Sequence, residues 1–152
     1  MKRKVQEVSF LVSSNVTDHA WLAGLIDGDG SFYKTNGTGT NGKQYTTIRM
    51  VVAMNHKATI EHIVDLFDGL CAIHTTNTKR QKQMWFWRCS GDHLRVVLPL
   101  ILPYLVTKKV QGLIFTELLE LRLHSSAAGI HKPERQEELF EQLRKANARW
   151  TA

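Results

Sequence analysis

Trp21-Leu22-Ala23-Gly24-Leu25-Ile26-Asp27-Gly28-Asp29-Gly30-Ser31 decides the fold of this 152-residue chain. The stretch reads as the end of a helix with carboxylates left at its mouth. Thr17 or Asp18 is a suitable N-cap ahead of the apolar run, and Gly28 and Gly30 are suitable stop signals. Ala20, Gly24 and Gly28 recur every fourth residue, leaving one helical face almost without side chains. A glycine inside a helix costs about 1 kcal/mol relative to alanine. Close approach of a second backbone would recover that cost. Asp27 and Asp29 lie at the helix C-terminus, where the macrodipole is already negative. Two acids there point to a bound cation.

Composition narrows the partners. Lys and Arg number 20 against 14 Asp and Glu, a formal charge of +6. That balance suits a polyanion, nucleic acid before membrane. Two cysteines, Cys71 and Cys89, make no disulfide framework and fit a reducing, intracellular compartment. The seven histidines show no zinc-site spacing. After Lys2, Arg3 and Lys4 only Val8 to Val12 is apolar, too short for a signal-peptide core or a membrane span. Asp27-x-Asp29-x-Ser31 imitates the start of a calcium-binding loop. It fails because Phe32 stands where glycine is needed and Thr38 where a bidentate glutamate is needed.

The rest of the chain reads outward from that helix as one domain, 1–152. Residues 1–16 form a basic arm with Phe10 and Leu11 tucked against the body. The helix covers roughly Asp18 to Gly28, and a strand, Ser31 to Asn36, leaves it directly. Gly37 to Lys43 is an exposed loop. In Gln44 to Asn55, Ile48, Met50, Val52 and Met54 fall on one side and Tyr45, Thr47 and Arg49 on the other. Ala58 to Phe67 is an amphipathic helix stopped by Asp68-Gly69. Leu70 to Thr76 and Gln83 to Ser90 form a second hairpin, with Trp85, Trp87 and Cys89 facing the core. A helix from Gly91-Asp92 to Leu102 is bent or ended by Pro99 and Pro103. Another spans Thr107 to Leu123, and Pro133 opens a charged helix up to about Trp150.

This order is an α+β plan: an αββαββα core over about 18–123, with a helical tail over about 124–152. Helices cover one face of a four-stranded antiparallel sheet. On the other face alternation places Tyr33, Thr35, Thr47, Arg49, His74, Thr76, Arg80 and Arg88. Such a surface fits a DNA groove, where β-ribbons bring side chains to base edges. Trp85, Trp87, Met50 and Met54 read as packing residues.

Leu22 to Gly30 resembles the signature of the LAGLIDADG homing endonucleases, with Gly28 at the usual Ala or Gly position. The αββαββα order is similar to that family's core. Leu102-Pro103-Tyr104-Leu105, followed by Thr107-Lys108-Lys109 and Gln111, is similar to its single-motif members. The resemblance implies an intron-encoded enzyme in which two such helices pack side by side. The last acid of each motif then binds a divalent metal, Mg²⁺ or Mn²⁺, between the scissile phosphates. Carried over, that acid is Asp29, with the Gly28 carbonyl as a further ligand. Asp27 caps or orients the partner helix. Lys108 stands where the family has a basic residue that orders water or stabilises transition-state charge. Asn55, or His56 after a one-residue shift, stands where a family glutamine contacts active-site water.

Only one motif occurs, so the resemblance implies a C2 homodimer through Ala20, Gly24, Asp27 and Gly28. It also implies a metal-dependent double-strand break in a long pseudo-palindromic DNA site, leaving short 3′ overhangs. The rival is a member of the family that no longer cuts and serves as an RNA maturase or DNA-binding regulator. Retention of Asp29 and Lys108 favours the nuclease, since a pure binder gains nothing from an acid pressed against phosphates.

Overall fold

The computed structural model of the protein describes residues 9–74, 83–124 and 129–148. In chain order the elements are α1 (Val16–Asp29), β1 (Gly30–Thr38), β2 (Gln44–Met54) and α2 (Lys57–Phe67). Then come β3 (Cys71–His74), β4 (Met84–Ser90), α3 (Gly91–Ile101), a 3₁₀ turn (Leu102–Tyr104), α4 (Lys109–Glu120) and α5 (Pro133–Ala148). The four strands form one antiparallel sheet in the order β1-β2-β4-β3. This is the expected α+β arrangement, an αββαββα core with further helices after it.

Period-two alternation sets the layers. Phe32, Ile48, Met50, Val52, Trp87 and Cys89 are buried on one sheet face. There they meet Leu22, Ala23 and Ile26 of α1, Ile60, Ile63 and Phe67 of α2, and Leu94, Val97 and Leu98 of α3. Phe32 also packs edge-on against Phe115 of α4, with ring centroids 4.9 Å apart. Trp87 is fully buried, and its indole N–H donates to the Asp68 carbonyl at 2.9 Å. It is a packing residue rather than a platform for bases. Among the described residues no helix is long and apolar enough to cross a membrane.

The strand leaves α1 with no connecting loop, and Gly30 makes that possible. A Cβ there would lie 2.7 Å from the Ile26 carbonyl oxygen and Cα, while the Gly30 N–H closes the helix on that carbonyl. Any side chain would push β1 away from the helix end.

Several boundaries differ from expectation. The N-cap is Asn15, whose Oδ1 accepts the Thr17 N–H at 2.9 Å, so α1 starts earlier than Thr17 or Asp18 would allow. Val16 is exposed, so this first turn carries no apolar periodicity to reveal it. Phe10 stacks on His93 as expected, but the Leu11 side chain is exposed; its backbone N–H is held by Asp68 Oδ2. Pro99 lies inside α3 without ending it. α4 starts at Lys109 and stops at Glu120, so Lys108 precedes the helix rather than belonging to it.

Candidate active site and nucleic-acid interface

The C-terminus of α1 is wired to the start of α4 within the same chain. Asp27 Oδ2 accepts the Val106 N–H and Oδ1 the Lys108 N–H, both at 2.9 Å. These are donors that precede α4 and have no helical partner of their own. In return, Lys108 Nζ donates to the carbonyls of Ile26, at 3.0 Å, and Asp27, at 2.7 Å. A cation thus covers the negative end of the α1 dipole. Burial holds the Lys108 ammonium below the usual lysine range, against the opposing pull of Asp27 and Asp29.

The two acids therefore have different fates. The Asp27 carboxylate accepts two backbone N–H groups of its own chain, a structural role. Asp29, the last residue of α1, is exposed, and among the described residues its carboxylate has no hydrogen bond or ion pair. Gly28 belongs to the same last turn, whose carbonyls lack intrahelical donors. Beside them lies a cleft of about 550 Å³ lined by Asp27, Gly28, Ser31, Tyr33, Lys108 and Asn147.

These donors are hard oxygens, the chemistry that suits Mg²⁺. Among the described residues no three His, Cys, Asp or Glu side chains gather as a metal cage. One chain thus supplies a single free carboxylate and a backbone carbonyl. That fits an ion held by one or two carboxylates together with substrate phosphates, not one caged by a single chain.

Asn55 does not join this constellation. It follows the end of β2, is exposed, and does not line the cleft. Strand pairing shows why: Gly30 sits opposite Val52, which leaves Ala53, not Asn55, level with the end of α1. His56 is the α2 N-cap residue, with Nδ1 bonded to Thr59 Oγ1 at 2.7 Å.

Ala20, Gly24 and Gly28 are all exposed, and a Cβ at Gly24 or Gly28 would meet nothing within 4 Å. No contact among the described residues requires glycine at either position.

The open sheet face is assembled as alternation foretold. Tyr33 pairs with Arg49, and Thr35 with Thr47, so all four share one face. Arg49 in turn sits opposite Ser90, and Arg88 opposite Val51, which brings Arg88 to the same face. The Arg88 guanidinium lies 4.9 Å from the centre of the Phe86 ring. Arg49 Nε is buried with no hydrogen-bond partner among the described residues. His74 pairs with Met84 at the end of β3. Thr76 and Arg80 lie outside the described residues. Tyr45 also belongs to this face: it is the cross-strand partner of Gly37, and its ring occupies the space a Gly37 side chain would need. Its alternation with Thr47 and Arg49 is the signal that identifies it. Asn147 had no such signal, because its contact with Phe32 spans 115 residues.

Comparison with known proteins agrees with this geometry. The model of the LAGLIDADG endonuclease family matches residues 22–116. A search of curated protein sequences gives no match. Among solved structures, the chain is similar to the homing endonuclease I-CvuI in complex with the I-CreI target. The TM-score is 0.63 at 19% identity, over 87% of this chain and 81% of that one. It is also similar to the group I intron-encoded homing endonuclease I-CeuI complexed with DNA, with a TM-score of 0.56 at 20% identity, over 76% of this chain and 58% of that one. For the meganuclease I-SmaMI bound to uncleaveable DNA the TM-score is 0.55 at 21% identity, over 87% of this chain and 43% of that one. The structural likenesses establish a shared fold, and the sequence match covers most of the chain, from Leu22 in the motif through Lys108 to Thr116. This protein belongs to the LAGLIDADG endonuclease family, as a member with a single motif.

Proposed function

We propose that this chain is a site-specific homing endonuclease that acts as a homodimer on a long pseudo-palindromic DNA site, cutting both strands with Mg²⁺ or Mn²⁺. The observation that carries the proposal is the Asp29 carboxylate, unpartnered among the described residues, at the end of a helix whose small-residue face packs against none of them at Gly24 or Gly28. Pairing that face with its symmetry copy would bring two Asp29 carboxylates together. The site would then be complete only in the dimer.

The residues divide the work. Asp29 and the Gly28 carbonyl would hold the metal, which when bound supplies a water activated near neutral pH and charge stabilisation on the leaving oxygen. Lys108, fixed on the α1 carbonyls, places a cation beside the phosphates without being free to pair with Asp29. Asp27 keeps that lysine and the end of α1 in register. The open sheet face, with Tyr33, Thr35, Thr47, Arg49 and Arg88, would lie in the major groove and read sequence. Both cysteines are unpaired, which supports a reducing intracellular compartment, and the family likeness supports an intron-encoded origin.

The test is selection of cleaved sites from a randomised pseudo-palindromic DNA pool with Mg²⁺, followed by Asp29→Asn on the selected site. The expected result is a double-strand break that Asp29→Asn abolishes while binding persists and weakens steeply with salt. Binding without any cleavage would reject the nuclease in favour of a non-cutting regulator or maturase, and an intron-splicing assay would separate those two.

A further inference from the structure

The C-terminal helix α5 runs along α4 and β1, and its last turn ends at the cleft described above. Apolar residues dock it: Leu139, Leu143 and Ala146 are buried, and Arg135 is bidentate to Glu117 of α4 at 2.7 and 2.9 Å. Asn147 adds a polar contact beyond these, with both ends of its carboxamide engaged. Nδ2 donates to the Phe32 carbonyl at 2.9 Å, and Oδ1 lies 3.5 Å from Nε2 of Gln111, which is buried.

The positions of these partners matter. β1 is an edge strand, so its outer carbonyls have no strand to pair with. Phe32 lies three residues along β1 from Asp29, and Gln111 lies three residues along from Lys108. Asn147 therefore ties the element that begins at the metal-binding acid to the element that begins at the basic residue. Asp27 makes the same tie at the other end, through Val106 and Lys108. The cleft between the two ties is lined by Gly28, Ser31, Tyr33 and Lys108, with Asn147 itself as one wall.

We propose that Asn147 is a positioning residue for cleavage: it fixes β1 against α4 and so sets Asp29 and the sheet relative to Lys108. Constellations of this kind tolerate only small displacements, because rate depends on near-attack geometry while binding spreads over many contacts. This assignment rests on the nuclease reading above, and its test has one readout that does not.

Asn147→Asp is isosteric and replaces the donor to Phe32 with an acceptor; Asn147→Ala removes both groups and suits a helix. On the selected DNA site, each variant should lower the single-turnover cleavage rate at saturating protein by about tenfold or more. DNA affinity without divalent metal should stay within about twofold of the parent. Amide hydrogen exchange of residues 28–34 should speed up, while exchange in β4 and the melting temperature stay at parental values. An unchanged cleavage rate would overturn the proposal, as would rate, affinity and melting temperature falling together, which would mark a purely structural contact. If the parent protein cuts no DNA, the nuclease reading fails by itself. Exchange then decides the tie alone, and unchanged exchange at 28–34 would refute it.

Discussion

Asp27 and Lys108 hold each other in both directions: the Lys108 N–H donates to the Asp27 carboxylate at 2.9 Å, and the Lys108 ammonium donates to the Asp27 carbonyl at 2.7 Å. The pair joins the motif helix to α4 across 81 residues of sequence. It also separates the motif's two acids: Asp27 is held by the start of α4, and Asp29 is left exposed for the role proposed for it. Asp27→Ala should therefore act on stability first. It strips a charged acceptor from the Val106 and Lys108 N–H groups, and we expect a loss of about 3 kcal/mol, roughly 6–12 °C in Tm. Urea denaturation monitored by circular dichroism would show it, whereas an unchanged midpoint would mean the loop before α4 holds itself.

Lys108 titrates in the opposite sense to a stabilising ion pair. Burial lowers its folded-state pKa below the unfolded value of 10.5. Between those two values the unfolded chain binds more protons, so stability rises with pH there. The charge penalty is fully present at neutral pH and is relieved as pH climbs through the folded pKa. The neutral amine can still donate to the Ile26 and Asp27 carbonyls. Measured against Lys108→Met to cancel other titrations, the parent protein should gain relative stability as pH approaches 10.5. A difference that stays flat would mean the ammonium is fully solvated.

Strand faces were legible because they depend on alternation alone. Ile48, Met50 and Val52 against Thr47 and Arg49 gave the buried and open sides of β2, and pairing with β1 then had to place Tyr33 and Thr35 beside them. The bare face of α1 was legible for a similar reason, as a repeat of four. Other parts follow from contacts that no local pattern encodes. The tie from Asp27 to residues 106–108, the bridge from Asn147 to Phe32 and the distance of Asn55 from the end of α1 all depend on long-range register. Asp68 is a further case: it stops α2 with φ 64 and binds the N-terminal segment, although its sequence context announces only a helix end.

Asp68 makes that N-terminal tether pH-sensitive. The Gly69 and Leu11 N–H groups that its carboxylate accepts pull its pKa below the ordinary aspartate value of 3.8. A depressed carboxylate pKa stabilises the fold above the unfolded value and loses that contribution as pH falls through the folded one. Asn tolerates positive φ, so Asp68→Asn removes the charge while keeping the backbone. The parent's advantage over this variant should shrink below pH 3.8. Melting curves across that range would check it, and a constant advantage would show that the charge contributes nothing.

Arg49 and Arg88 should differ in how they read DNA. Arg49 Nε is removed from water without an acceptor, which is costly until a ligand provides one. Its place on the open face between Tyr33 and Ser90 suits a base edge, and arginine prefers guanine O6 and N7. Arg88 is exposed and supported from below by Phe86. Arg49→Ala should relax the sequence preference of cleavage at one position per half-site, with about 1–3 kcal/mol lost on the preferred base alone. Profiling cleavage over all single-base variants of the site would reveal this. A uniform loss would instead identify Arg49 as a phosphate contact.

Gly24 provides the sharpest test of the proposed dimer because no contact among the described residues makes a demand on it. A Cβ there meets nothing within 4 Å, and leucine is the better helix former by about 1 kcal/mol. In an isolated chain Gly24→Leu should leave the melting temperature unchanged or raise it. Between two chains it should do the reverse, since a close-packed small-residue interface has no room for four added carbons on each side. The expected outcome is a folded protein with the mass of one chain by sedimentation, and loss of double-strand cleavage. Dimer mass and cleavage both unchanged would mean the chains meet elsewhere, and the two Asp29 carboxylates would then have no reason to share a site.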